Sequence, residues 1–152
     1  MHPLKIEYQL NTIEKYSASH LVGCRWKYFI DDINKPFKTL PFDIADAKHY
    51  DKLRWLMDRP YMIPHTWLVS RRLIDTSGLW NEDLTLNDDG EYFYRVIAAS
   101  EGIVMDNNAL AFYRAGNPNS LSTRRTEGAM TSWLNSIKCY KQIMYSIGRR
   151  QS

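Results

Sequence analysis

The sequence predicts an α/β fold in which a layered sheet is flanked by helices and a long helix follows at the C-terminus. Segments rich in β-forming residues alternate with segments of helical periodicity, which is typical of this class. The 152 residues are 44% hydrophobic and 24% charged, the composition of one globular domain. We expect a core over residues 1–122 and a final helix over residues 126–147.

The first half of the chain alternates helix and strand patterns. The first helix is predicted over residues 3–16, and residues 20–30, "HLVGCRWKYFI", are rich enough in β-formers for one or two strands. The stripe of the first helix that we expect to face the core is Ile6, Leu10, Ile13 and Tyr16. A second helix is predicted over residues 43–58, with Asp43 as its N-cap.

The second half begins with "YMIPHTWLV", a buried strand in which Pro64 leaves only the later part able to join a ladder. Ser70 is expected to cap a short helix that ends near Gly78, and Asn87 or Asp88 to cap a helix that stops at Gly102. "IVMD" and "ALAFYR" then predict two short strands joined by an Asn-Asn turn. The expected inward stripe of the final helix is Met130, Trp133, Leu134, Ile137, Tyr140, Met144 and Ile147.

Three carboxylates crowd the stretch "LNDDGEYFYR". Asp88 and Glu91 have the spacing of a capping box, and the positive end of a helix favours acids by roughly 0.3–1 kcal/mol each. This interpretation does not account for Asp89, which repels its neighbour, nor for Gly90, which costs up to about 1 kcal/mol against alanine in a helix. A glycine beside two acids indicates close approach to the backbone, and we expect a functional site here.

Charge and cysteine content restrict the classes of function. The net charge is +3, and the basic residues are spread along the chain, so no nucleic-acid partner is predicted. The two cysteines lack any CxxC spacing, which favours a reducing cytoplasm. No apolar run approaches the roughly 18 residues of a membrane span. Aromatic residues make up 13% of the chain, which suits either a core or a sugar-stacking cleft.

Residues 67–114 resemble the second half of a family 2 glycosyltransferase. The matching features are an arginine at a helix start, a glycine followed by an aromatic residue and acids, an acid-Asp pair with a downstream Glu and Arg, and an aromatic strand ending in Arg. In this sequence they are Arg71, Gly78 with Trp80 and Glu82, Asp88-Asp89, Glu91, Arg95, Gly102 and Tyr113-Arg114. "HPLKIEYQL" is similar to the helix that follows the family's Asp-x-Asp motif. The resemblance therefore covers nearly the whole chain but begins after that motif.

The resemblance implies a GT-A-type fold and inverting sugar transfer, with Asp89 as the general base. It implies a sugar-nucleotide donor, a glycan acceptor and a divalent cation, Mg²⁺ or Mn²⁺, whose main ligands are not in this chain. The chain is therefore expected to be a fragment with little activity alone, and a complementing N-terminal half is a candidate partner. We expect the helix N-terminus to keep Asp89 ionised. The expected substrate-binding residues are Asp88, Trp67, Trp80, Glu91, Arg95 and Arg114. Both tryptophans suit either sugar stacking or the core, while Arg95 either orients the acids or faces solvent. Arg114 either binds diphosphate or ends a turn.

Other interpretations stay open at this point. Asp88, Asp89 and Glu91 could be ligands of a metal-dependent hydrolase or nuclease. The chain could instead be a non-catalytic fragment that only binds a glycan. A peripheral membrane contact through Lys138, Lys141 and the terminal arginines is a secondary expectation.

Overall fold

The computed structural model describes residues 1–35, 38–39, 49–58, 62–117, 120, 123 and 125–149. The α-helices in these ranges are α1 (Lys5–Ile13), α2 (Lys52–Asp58), α3 (Arg71–Ser77), α4 (Asp88–Ala99) and α5 (Glu127–Arg149). The strands are β1 (His20–Phe29), β2 (Lys38–Thr39), β3 (His49–Tyr50) and β4 (Gly102–Arg114), and a short 3₁₀ helix spans Pro64–Thr66. The predicted mixed α/β class and the long C-terminal helix are therefore confirmed.

Strands β1 and β4 form the parallel centre of the sheet, whose strand order is β2-β1-β4-β3. They pair from His20 opposite Gly102 to Phe29 opposite Arg114, while the short edge strands β2 and β3 pair antiparallel. The start of α4 carries the acid pair and lies near the C-terminal end of β4, where Tyr113 lines the same cavity as Asp88 and Asp89.

Two strand predictions need correction. β4 is a single strand, in which residues 107–109 form a bulge opposite the junction of Cys24 and Arg25. The Asn-Asn pair lies in that bulge and not in a turn, because Asp106 Oδ1 accepts the backbone N–H groups of Asn108 and Ala109 at 2.8 Å each. The strand predicted after Pro64 is reduced to one antiparallel bridge from Leu68 to Val22.

The core has two parts. The larger one packs α2, α4 and α5 against the sheet around Leu21, Ile103 and Met105, all at most 3% exposed. The smaller one packs Tyr8 of α1 against Cys24 and Trp26. Helical periodicity predicts Phe93, Val96 and Ile97 on the inward side of α4, and Val96 and Ile97 are buried while Phe93 is half-buried. The predicted cap of α3 is also confirmed, because Ser70 Oγ accepts the Leu73 N–H and Gly78 follows the helix with φ 80°.

Replacing Gly23 with alanine should lower the free energy of unfolding by about 1–3 kcal/mol, because the core above β1 has no room for a methyl group. A Cβ there would lie 2.5 Å from Met105 Sδ and 2.7 Å from the ring of Trp67. The same substitution at Gly128, where nothing lies within 4 Å, should be neutral or stabilise by up to about 1 kcal/mol. Denaturant unfolding of both variants checks this, and equal stability of the two would contradict the packing around Gly23.

Helix α1 forms as predicted, but the predicted stripe faces the wrong way. Ile6 and Leu10 are 43% and 47% exposed, whereas Lys5 and Gln9 are 1% and 0% exposed. Gln9 Nε2 donates to the backbone carbonyl oxygens of Val22 and Thr66, and Lys5 Nζ donates to Gln9 Oε1. The polar face points inward because it satisfies backbone carbonyls of the strand and the 3₁₀ helix.

The buried face of α5 is also more polar than predicted. Its buried residues are Ala129, Ser132, Ser136 and Tyr140. Met130, Trp133 and Leu134, predicted to face the core, are 43%, 42% and 53% exposed. The bounds of the helix agree with the prediction within two residues. No α-helix within the described ranges combines the length and apolar composition needed to cross a bilayer.

The second predicted helix is shorter than expected. It begins at Lys52, and β3 lies immediately before it, where helix was predicted. Residues 43–48 lie outside the described residues, so the predicted cap Asp43 has no outcome. Trp55 is 5% exposed, which places the helix against the larger part of the core.

Candidate functional site

The acid pair Asp88-Asp89 begins α4, directly after Asn87 at the N-cap. Asn87 has a left-handed backbone with φ 61°, a conformation that Asn tolerates better than most residues. Its side-chain amide donates to Ser136 Oγ at 2.6 Å and to Tyr140 Oη at 2.7 Å, both on α5. Helix α5 therefore holds the turn from which the two acids project.

A second serine of α5 binds the loop just before this turn. Ser132 Oγ accepts the backbone N–H groups of Thr85 and Leu86 at 2.8 and 3.0 Å, and it donates to the Leu86 carbonyl oxygen at 3.0 Å. Ser132 is 5% exposed, so these bonds are shielded from water. The buried face of α5 is therefore polar because its inward serines make hydrogen bonds to the acid-bearing loop that water would otherwise make.

Gly90 is explained by this packing and not by the approach of a ligand. A Cβ at position 90 would overlap Asn87 Oδ1 and lie 2.6 Å from Tyr140 Oη. The groups that approach the backbone closely are therefore side chains of the protein itself. The interpretation that Gly90 leaves room for a ligand is therefore wrong. The glycine instead leaves room for Asn87 and Tyr140, which hold the turn of the acid pair.

Asp89 is half-buried, and burial raises the pKa of its carboxyl group above the usual range. The hydrogen bond from the Gly90 N–H to Asp89 Oδ1, 2.8 Å long, lowers the pKa, and the neighbouring charge of Asp88 raises it. Desolvation therefore has a larger effect on this pKa than the hydrogen bonds at the helix start, and the ionised form expected at neutral pH stays a prediction. A carboxylate with a raised pKa binds a proton more strongly and is a stronger base.

Asp89 and Asn87 line two cavities. The larger one has a volume of about 540 Å³, and Asp88, Trp80, Pro64, Tyr113 and Asn117 also line it. The smaller one, about 160 Å³, extends toward the core, where Trp67, Phe93 and Tyr94 line it. The larger volume is within the range of small-molecule sites, and the smaller one is not. The side of Asp89 toward the larger cavity is therefore the candidate site.

Trp80, which is predicted to bind substrate, lies beside the acid pair. Its Nε1–H donates to Asp88 Oδ2 at 3.3 Å, and its ring packs on Tyr92 with centroids 4.7 Å apart. The side chain is 39% exposed and lines the larger cavity. Trp80 thus offers an accessible indole face that is fixed on two sides, by Asp88 and by Tyr92.

Glu91 and Arg95 form a buried ion pair and do not line either cavity. Glu91 is 3% exposed, and its two carboxylate oxygens accept from Arg95 Nε at 2.7 Å and Nη2 at 3.0 Å. The guanidinium also donates to the carbonyl oxygens of Ser77 and Leu79. The capping-box interpretation of Glu91 is therefore wrong. The pair fixes the start of the loop that carries Trp80.

Two further predicted residues lie away from the larger cavity. Trp67 is 8% exposed and packs against Phe93 and Trp55, so its ring belongs to the core. Arg114 places its guanidinium 5.2 Å from the ring centroid of Phe29 and lines neither cavity. Tyr113 lines the larger cavity in its place, because successive residues of a strand face opposite sides.

The sequence interpretation missed the residues that hold the site. Asn87 entered it only as a helix cap, and Tyr113 only beside Arg114. The inward serines of α5 were not considered, because apolar residues were assigned to that face. The spacing of Ser132, Ser136 and Tyr140, four residues apart, is the pattern that could have identified a polar stripe.

The described residues do not bring together a set of metal ligands. The chain contains no Asp-x-Asp sequence, so the ligands that the resemblance implies for Mg²⁺ or Mn²⁺ are not among its residues. Within the described ranges, no three His, Cys, Asp or Glu side chains are grouped as ligands. The set of Asp88, Asp89 and Glu91 is not assembled, because Arg95 binds both oxygens of Glu91. No step of a reaction is therefore assigned to a metal held by these three acids.

No protein-family model, curated protein or solved structure matches this chain. The resemblance to family 2 glycosyltransferases consequently depends on the motif residues themselves. Its two most specific elements, the acid pair and the following Glu and Arg, lie together at α4. The acid pair lines the larger cavity, whereas the Glu and the Arg form the ion pair with each other.

Proposed function

We propose that this chain carries the acceptor side of a GT-A-type, inverting glycosyltransferase, in which Asp89 is the general base. The observation that carries the proposal is the position of Asp89: a half-buried carboxylate with a raised pKa lines a cavity of about 540 Å³ beside the exposed ring of Trp80. The acceptor is a glycan hydroxyl and the donor a sugar nucleotide.

The proposed step needs one proton acceptor. The acceptor oxygen forms a bond to the anomeric carbon of the donor sugar, the bond from that carbon to the diphosphate oxygen breaks, and the nucleotide diphosphate leaves with the electron pair. The hydroxyl proton passes to the Asp89 carboxylate. Desolvation supports this role, because a carboxylate with a raised pKa has a greater affinity for the proton.

Trp80 is the proposed acceptor platform. An indole face packs against the C–H side of a sugar ring, and the bond from Trp80 Nε1 to Asp88 Oδ2 holds that face beside the acid pair. The proposed role of Asp88 is thus to position Trp80. Glu91 and Arg95 hold the loop and have no proposed contact with substrate.

Replacing Trp80 with alanine should raise the Kd for an oligosaccharide about tenfold, since stacking on one aromatic ring is worth up to about 1.5 kcal/mol. The measurement is a titration of the chain with a panel of neutral oligosaccharides, followed by the NMR signals of the tryptophan indole groups. The matched control is Trp133→Ala on α5, because Trp133 has nearly the same exposure, 42% against 39%.

The outcomes of this titration separate the candidate functions. Oligosaccharide binding that depends on Trp80 and not on Trp133 supports the acceptor site. The same binding without any transfer activity would favour a glycan-binding module. If no oligosaccharide shifts the Trp80 signal, or if both substitutions weaken binding equally, the acceptor assignment is wrong.

A further inference from the structure

The outer face of α5 presents apolar side chains that the rest of the described chain does not cover. Met130, Trp133 and Leu134 lie at helical spacing on one flank and are 42–53% exposed. Tyr145 continues this flank two to three turns later and is 60% exposed. Single exposed apolar residues are ordinary, but an apolar flank along one helix indicates a surface that binds something.

The charges along the same helix indicate what that surface binds. Lys138 and Lys141 are exposed and follow the apolar flank, and Arg149 lies at its end. The acid of α5 is Glu127, its first residue, and no Asp or Glu follows from Gly128 to Arg149. A Trp- and Leu-bearing flank followed by cations, with an acid only at the beginning of the helix, is typical of a helix that lies in the interface of an anionic membrane.

We infer that α5 docks on an anionic lipid surface, inserting Met130, Trp133 and Leu134 while Lys138 and Lys141 contact the headgroups. The helix has 23 residues, about 34 Å, and can lie flat along a bilayer. Long lysine side chains place their stems along the apolar layer and their ammonium groups among the phosphates. The inward serines of the same helix hold the loop of the acid pair, so docking fixes the orientation of the candidate site to the surface.

A second copy of the chain is a poorer occupant of this face. Two copies of α5 that met in parallel through their apolar flanks would bring lysines of like charge together. Helix α1 provides a contrast, because its exposed Ile6 and Leu10 are bordered by charges of both signs, Glu7, Glu14 and Lys15. Nothing in the charges around α1 selects one kind of partner.

The test is flotation of the full chain with vesicles of phosphatidylcholine, with and without phosphatidylserine. We expect binding only to the vesicles that contain phosphatidylserine, and weaker binding as salt rises. Substituting Lys138→Gln and Lys141→Gln together should weaken binding about 25-fold, or about fivefold for each lysine. The matched control, Lys15→Gln with Arg72→Gln, removes two exposed charges elsewhere and should have little effect.

The apolar contact has its own variants. Trp133→Ser with Leu134→Ser should weaken vesicle binding at least about tenfold, whereas Ile6→Ser with Leu10→Ser, of similar exposure on α1, should not. Brominated lipids should quench part of the tryptophan fluorescence, and Trp133→Ser should abolish that quenching. The inference is overturned if the wild-type chain does not float, or if it floats equally without phosphatidylserine. It is also overturned if the control variants lose as much vesicle binding as the α5 variants. The same holds if the α5 variants leave vesicle binding intact and instead disrupt a dimer or the binding of an oligonucleotide.

Discussion

Replacing Arg95 with alanine should lower the free energy of unfolding by about 3–5 kcal/mol, the loss expected when a buried ion pair keeps only one of its charges. Glu91 is 3% exposed and receives two charge-assisted hydrogen bonds from Arg95, at 2.7 and 3.0 Å. The same guanidinium donates to the carbonyl oxygens of Ser77 and Leu79. Denaturant unfolding, followed by circular dichroism, measures the loss.

The chain offers a matched control for this variant. Arg54 and Asp58 form an ion pair with the same i, i+4 spacing and an Nε to Oδ2 distance of 2.6 Å, but their side chains are 73% and 54% exposed. Arg54→Ala should leave the unfolding midpoint almost unchanged, because solvent already screens that pair. If both arginine variants lose equal stability, burial is not what makes the Glu91–Arg95 pair important.

A double variant separates the orphaned charge from the lost contacts. Glu91→Leu combined with Arg95→Leu removes both charges, so it should be more stable than Arg95→Ala alone, although it also loses the bonds to Ser77 and Leu79. A double variant that is less stable than Arg95→Ala would mean that the carboxylate tolerates burial without its partner.

Local patterns in the sequence predict where the helices lie, and long-range contacts decide which face is buried. The bounds of α5, the Ser70 cap and the inward residues of α4 follow from periodicity and capping, patterns that each extend over only one or two helical turns. The inward face of α1 does not follow from them, and that of α5 does so only in its second half, where Ile137, Tyr140, Met144 and Ile147 pack on the core as predicted. Gln9 of α1 binds the carbonyl oxygen of Thr66, 57 residues away, and Ser132 of α5 binds Leu86, 46 residues away. Hydrophobic periodicity contains no information about such backbone acceptors.

The candidate site was predictable to a similar degree. The acids and Trp80 could be proposed because helix capping accounts for Asp88 and Glu91 but not for Asp89, and because aromatic residues suit sugars. The sequence did not predict that some of these acids line a cavity while another forms an ion pair, because this depends on which acid forms hydrogen bonds with Arg95. Asp88 and Asp89 line the larger cavity, whereas Glu91 is buried one turn later. The sequence likewise did not predict which of two neighbouring strand residues faces the cavity: Tyr113 lines it, and Arg114 points away from it.

Replacing Asp89 with asparagine should reduce sugar transfer by about 10²–10⁴-fold if Asp89 is the general base, since a positioned base contributes a factor of this size. The amide has the shape of the carboxylate, and its oxygen can still accept the Gly90 N–H, so oligosaccharide binding should be unchanged. The measurement, made with a complementing N-terminal half present, is nucleotide release from a sugar-nucleotide donor in the presence of an acceptor, with kcat and KM determined separately. Asp75→Asn on the exposed part of α3 is the control and should retain full turnover.

The raised pKa of Asp89 adds a readout that needs no substrate. A carboxyl group whose pKa is higher in the folded state stabilises the fold below its unfolded pKa, and this stabilisation is lost as pH rises through the folded pKa. At neutral pH the ionised, desolvated carboxylate therefore costs stability. Asp89→Asn should raise Tm at neutral pH, and the difference should vanish in acid, where the wild-type carboxyl group is also neutral.

A loss of turnover together with a gain in Tm is the combination expected of a carboxylate that serves a reaction. A carboxylate kept for the fold would lose stability on conversion to the amide, because its charge would be part of a favourable contact. A carboxylate kept as a base is held partly desolvated at a cost to folding, and its removal stabilises the protein while it abolishes turnover. Thermal melting at neutral and acidic pH distinguishes the two. A lower Tm for Asp89→Asn at neutral pH would assign Asp89 to the structure of α4 and leave the proposed transfer without its base.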